Sequence, residues 1–197
     1  MSSILKVDTI QDQSGNNIIN ESADTITIGA SGDTITVPSG ATIDLSNATQ
    51  TGVGGTNTPA FQAFMNGNQT IATSSFTKLE MDAEVFDTDS KYDTSTYRFT
   101  PTVAGQYWVW GKFRFDDGVD IGSAVMAFYK NGTIISKTTE FTTDVTTLMF
   151  GIIVELDSDD YLEIYAYQNS GGNVVVNGDA TYPEQDSGTW GAYRIIT

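Results

Sequence analysis

Apolar residues in this chain recur at every second position in many short runs, and no stretch of useful length shows the three-to-four spacing of an amphipathic helix. A period of two places alternate side chains on opposite faces of a β-strand. The longest such run is residues 105–115, where Tyr107, Val109, Gly111, Phe113 and Phe115 point one way and Trp108, Trp110, Lys112 and Arg114 the other. Both faces are occupied by large side chains. A strand facing solvent would carry small polar residues on its outer side, so the tryptophan face predicts contact with a neighbouring subunit or with a second sheet of the same chain. Trp108 and Trp110 are therefore candidate interface residues.

Around this run the chain offers further strands at 61–65, 76–81, 96–99, 123–130, 133–137, 147–156, 161–168, 173–177 and 189–196. Asn131-Gly132, between the fifth and sixth of these counting the long run, is the strongest short hairpin signal available. So many short strands separated by turns predict an all-β domain over 61–197, a jelly-roll β-sandwich rather than a closed barrel.

The first part of the chain is patterned differently. Ile18 and Ile19, Ile26 and Ile28, Ile35 and Val37, and Ile43 and Leu45 are apolar pairs set among turn residues, and the last three pairs form a repeat: TITIGASGD, TITVPSGA, TIDLSNAT. One rung buries too little apolar surface to offset the entropy of ordering it. Three copies wound about one axis would pool their apolar edges and pair strands between chains. The reading is a short-strand trimeric β-repeat stem at 21–48, with Ile26, Ile28, Ile35, Val37, Ile43 and Leu45 at the trimer interface. A flexible low-complexity arm is the alternative. Residues 49–60, TQTGVGGTNTPA, read as a Gly/Thr linker.

Composition narrows the chemistry. With no cysteine and no histidine, disulfides, thiolate nucleophiles, Ser-His-Asp relays and histidine-bearing zinc sites are all excluded. The formal charge of −16, from 25 acids and 9 scattered bases, repels nucleic acid and suits a saline habitat. The opening MSSILKVDTI lacks the basic and apolar regions of a signal peptide, and no run approaches the ~20 apolar residues of a membrane span. No membrane insertion is expected.

Two acidic groupings remain. Glu80, Asp82 and Glu84 alternate with apolar residues, a spacing that would suit a glycosidase acid and base if one were kept protonated in a cleft; a solvated acidic strand face is the plainer reading. Asp116, Asp117 and Asp120 in DDGVD, and Asp157, Asp159 and Asp160 in DSDD, could supply oxygen ligands to a structural calcium, though acidic hairpin turns are common. No other cofactor is implied.

YDTSTYRFTPTVAGQYWVWGKFRF resembles the signature of the complement globular-head and tumour-necrosis-factor-like jelly roll, with Tyr92, Phe99, Thr100, Pro101, Gly105 and Tyr107 on its positions. FYKNGTII, VELDSDDYLEIYAY and TWGAYRII follow in the family's order. The chain departs at Tyr97, where the family often has Gly, and at Ser158-Asp159, where Gly-Asp is usual. The first forty residues resemble the head segment of small fibre proteins from tailed phages of marine bacteria. Together the resemblances imply a non-enzymatic homotrimeric virion protein, a tail fibre or appendage made in the host cytoplasm. Its N-terminal docking segment, residues 1–20, would attach to other virion proteins, and its jelly roll would meet a host-surface glycan or protein. Tyr92, Tyr182 and Trp190 are then candidate receptor contacts. A capsid decoration or head-fibre protein would share the architecture, and a surface-glycan hydrolase is the enzymatic rival.

Calcium in DDGVD would make the fold depend on it: adding a chelator should lower the thermal unfolding midpoint, and a midpoint left in place removes the ion from the account.

Overall fold

The computed structural model describes residues 9–11, 13–15, 17–22, 25–28, 31–43, 57–115, 120–143, 146–179, 181 and 188–195. The chain divides into two compact units, Met1–Thr51 and Gly52–Thr197, with the division inside the expected linker.

In the first unit, β1 (Thr9–Gln11), β2 (Asn17–Ser22) and β3 (Thr25–Ile28) form an antiparallel sheet in chain order. Its register sets Ile10 opposite Ile19 and Ile19 opposite Ile28, so three isoleucines make one row across the sheet. All three stay well exposed, as does Ile26. Of the repeat, Thr25–Ile28 is the rung that forms a strand among the described residues; Ile35, Val37 and Ile43 are exposed and lie outside strands. Leu45 lies outside the described residues.

The second unit contains β4 (Ala60–Phe64), β5 (Gln69–Ile71), β6 (Thr77–Lys78), β7 (Ala83–Asp87), β8 (Tyr92–Asp93), β9 (Arg98–Phe99), β10 (Gly105–Phe115), β11 (Gly122–Lys130), β12 (Thr133–Thr142), β13 (Thr146–Leu156), β14 (Leu162–Tyr167), β15 (Val174–Val176) and β16 (Thr189–Arg194). They make two antiparallel sheets, and the described residues contain no helix. The first sheet runs β7-β4-β16-β10-β13; β15 meets the far end of β10 through Phe115–Val176 and carries β5 on its outer edge. The second runs β12-β11-β14-β9-β8, with β6 also paired to β14.

β10 is the axis of this arrangement, as its alternation predicts. Tyr107, Val109, Phe113 and Phe115 are fully buried, facing Met126 and Phe128 of β11 and Ile164 of β14. Gly111 completes the row because there is no room for more: a Cβ there would stand 2.6 Å from Ile164 Cδ1. One end of the core is an aromatic stack in which the Phe61 ring lies 4.8 Å from Tyr92, 4.5 Å from Phe99 and, edge-on, 4.9 Å from Trp190.

Turn chemistry fixes the connections. Asn131 and Gly132 take φ of 52° and 76°, the left-handed pair that a tight hairpin between β11 and β12 requires. Asp160 latches that hairpin: its carboxylate pairs with Lys130 Nζ at 2.7 Å and accepts the Asn131 side-chain amide at 2.6 Å. Tyr97 has a φ of 57°, which explains why glycine suits this place and shows that tyrosine can fill it at some local strain.

Because Phe61 touches three other rings in the core, Phe61→Ala should cost about 3–5 kcal/mol of stability, read by urea unfolding of the full chain. A loss under about 1 kcal/mol would show that the stack does not organise the domain.

Candidate interaction surface

The second face of β10 is open to the outside. Across it, the register sets Ile153 of β13, Trp108 and Tyr193 of β16 in one row, and Gly151, Trp110, Gly191, Gln62 of β4 and Phe86 of β7 in the next. Met149 stands opposite Lys112 on the same face. Met149 is 70% exposed, Ile153 61%, Phe86 45% and Tyr193 40%, which makes a broad apolar surface on a domain whose core is already closed.

The two tryptophans are half-buried in this open face because glycines lie beneath them. A Cβ at Gly151 would sit 2.6 Å from Trp108 Cζ2, and one at Gly191 would meet Trp110 Nε1 at 3.1 Å and the Phe61 carbonyl oxygen at 2.6 Å. Each indole therefore lies down across its neighbouring strand. Of the two covers that the sequence allows for this face, the second sheet is not one: that sheet packs on the Tyr107 side. Met149, Ile153, Tyr193 and Phe86 escape a reading of β10 alone. The available signal is TLMFGIIVEL, where both alternating sets are apolar, as they are in β10 itself.

The receptor candidates fare differently. Tyr92 and Trp190 lie inside the sandwich, 6% and 0% exposed, so neither can stack on an external sugar. The Tyr92 hydroxyl donates to the Met81 carbonyl at 2.7 Å, and burial raises its pKa strongly. Their aromatic character serves packing, which alternation in such short strands does not reveal. Tyr182, Asp116 and Asp117 lie outside the described residues; the exposed Asp120 carboxylate accepts the Gly122 amide at 3.0 Å. Among the described residues no three acidic groups gather as a metal site would require. Asp160 is already engaged by Lys130. Glu80, Asp82 and Glu84 are all exposed, but strand geometry begins only at Ala83, so the even ladder expected from their spacing is not formed. Asp82 instead accepts the Asn66 amide at 2.8 Å. Partial burial, then the neighbouring Asp87, raises the Glu84 pKa.

No protein-family model and no characterised protein matches the chain by sequence. Solved structures do match by shape. Eiger TNF from S. frugiperda aligns over 69% of this chain and 91% of its own at 11% identity and a TM-score of 0.51, and murine APRIL over 69% and 98% at 11% and 0.50. The globular domain of a zebrafish complement 1qA protein aligns over 70% and 97% at 13% and 0.49. The domain is a tumour-necrosis-factor-like jelly roll. At such identities the likeness concerns the fold alone.

The outer face of this jelly roll's second sheet holds a further constellation. Glu163 of β14 is 2% exposed and receives Arg98 Nε at 2.8 Å and Lys78 Nζ at 3.1 Å. Arg98 also lies over the Tyr161 ring, 4.2 Å from its centre. Tyr165, Tyr129, Phe76 and Tyr167 continue from there as a chain of touching rings, with centroids 4.0, 6.0 and 5.1 Å apart in turn. Burial alone would raise the Glu163 pKa, but the bonds from Arg98 and Lys78 outweigh it and hold the carboxyl below its ordinary 4.5. Tyr165 is pushed up to about 12 by burial and by the adjacent Glu163 charge.

A carboxylate with a depressed folded pKa stabilises the fold above its unfolded value and loses that contribution as pH falls through the folded value. The thermal midpoint should therefore decline below about pH 4.5, and Glu163→Gln, which cannot titrate, should make that decline shallower. An unchanged slope would mean that the triad does not couple to folding.

Proposed function

We propose that this chain is a non-enzymatic, homotrimeric virion structural protein, a phage tail fibre or appendage that displays its jelly roll for attachment to a host surface. The observation that carries the reading is the apolar face of Met149, Ile153, Trp108, Trp110 and Tyr193, which lies on one side of a domain that needs nothing more to close its core. A surface of this kind is stable in water when another copy covers it. Three copies about one axis cover three such faces at once and leave the second sheets outward. The N-terminal unit supports the same assembly, since its isoleucine row and exposed rungs lack apolar cover within one chain. The virion role rests on the resemblance of that segment to marine phage fibre heads, and the attachment role on the outward display of the jelly roll.

Sedimentation equilibrium should give three times the 21.2 kDa chain mass. Replacing both Met149 and Ile153 by Asp should dissociate the assembly into folded monomers, because a charge at a covered apolar position costs association far more than folding. A wild-type chain that sediments as a stable monomer overturns the assembly. The virion role is tested separately by immuno-gold labelling of intact particles, with label on an appendage expected, and by competition of soluble protein with particle adsorption to cells.

A further inference from the structure

We infer that the outer face of the second sheet is a binding site for an acidic saccharide, one that carries a sugar carboxylate. This gives a chemical class to the attachment role proposed above and rests on that role for its biology, while the binding itself is a property of the domain.

The sugar carboxylate has a partner in Arg98. Its hydrogen bond runs from Nε to Glu163 and its side chain is 40% exposed, so among the described residues neither terminal amino group has a protein acceptor. The guanidinium is fixed on two sides, by the Glu163 carboxylate at its Nε edge and by the Tyr161 ring beneath its plane. A planar fork fixed in this way, with two outer donors unused, matches a carboxylate in the two-point manner that only arginine provides. Lys78 differs in that it is occupied, donating to Glu163 and to the Thr96 carbonyl at 3.0 Å.

The neighbouring charges leave this fork free to act. Register places Lys78 opposite Tyr165, Lys137 and Tyr165 on either side of Ala127, and Arg98 opposite Asp93, all on this face. Of the carboxylates nearby, Glu163 is consumed by the ion pairs, Asp93 accepts from Ser95 and Thr96, and the exposed Glu80 and Asp82 act on Tyr97. The attraction for an anion is therefore local to the arginine fork and does not come from a net positive field.

The ring row supplies the rest of a saccharide site. Phe76, Tyr129, Tyr165 and Tyr167 are all half-buried, so each keeps part of its surface open, and contact with its neighbours holds each in place. The C–H side of a pyranose is apolar and weakly electropositive, and an aromatic face attracts it. Small anions would use the arginine alone; only a ligand with both a carboxylate and stackable rings uses both features.

The test applies the full-length protein to immobilised oligosaccharides bearing uronate or sialate, each beside its methyl ester, which keeps the rings and removes the charge. Binding to at least one acidic member should exceed that to its ester by about tenfold or more. Arg98→Lys, which keeps the charge and loses the fork, should weaken it by about tenfold. Tyr167→Leu should weaken acid and ester alike, and an unchanged thermal midpoint confirms that both variants fold. Equal binding of acids and esters, no binding to any acidic member, or full binding by Arg98→Lys overturns the inference. Protein that adsorbs to host cells yet ignores every acidic glycan overturns this inference alone; protein that binds the glycans but is missing from particles overturns the virion role alone.

Discussion

Everything in the larger unit depends on a strand that is apolar on both sides. β10 commits its odd-numbered side chains to the interior, where Tyr107, Val109, Phe113 and Phe115 are fully buried against the facing sheet. The even-numbered set is then left outside with two indoles, and β13 adds Met149 and Ile153 beside them. A period of two gives no freedom to turn these residues inward without expelling the others. The domain satisfies one face by folding and leaves the other open.

How much of this could be read from the sequence follows from the range over which each signal acts. Strict alternation across eleven residues places β10 and both of its faces correctly, and Asn131-Gly132 marks the hairpin between β11 and β12. β5 and β7 are short strands without a clean alternation, and they are found only through the partners they pair with. The run at 76–81 shrinks to Thr77–Lys78, although Leu79 still donates to the Ile164 carbonyl at 2.9 Å and Leu79 and Met81 are buried in the core. Tyr92 and Trp190 show a further limit. A tyrosine beside a turn and a tryptophan in a terminal strand can equally well meet a ligand or a core, and only the position of Phe61 between them decides.

The ionic cluster on the second sheet illustrates why scattered charges resist interpretation from sequence. Lys78, Arg98 and Glu163 are separated by as many as 85 positions, yet strand pairing brings them within 3.1 Å. Desolvation opposes a buried carboxylate, and the bonds from Arg98 and Lys78 together reverse it. What looks like dispersed basic residues in an acidic chain is partly a single structural device. Similarly, Asp160, one of several aspartates in an acidic turn, is singled out by Lys130 and Asn131 as the latch of the neighbouring hairpin.

The glycines beneath the two indoles have a consequence for how quickly and how specifically copies could come together. Side chains on a free surface usually sample several rotamers, and fixing each one at an interface costs about 0.5–1.5 kcal/mol. Trp108 and Trp110 rest against Gly151 and Gly191, so their orientations are restricted before any partner arrives. Recognition on this face would begin from a template with little left to freeze.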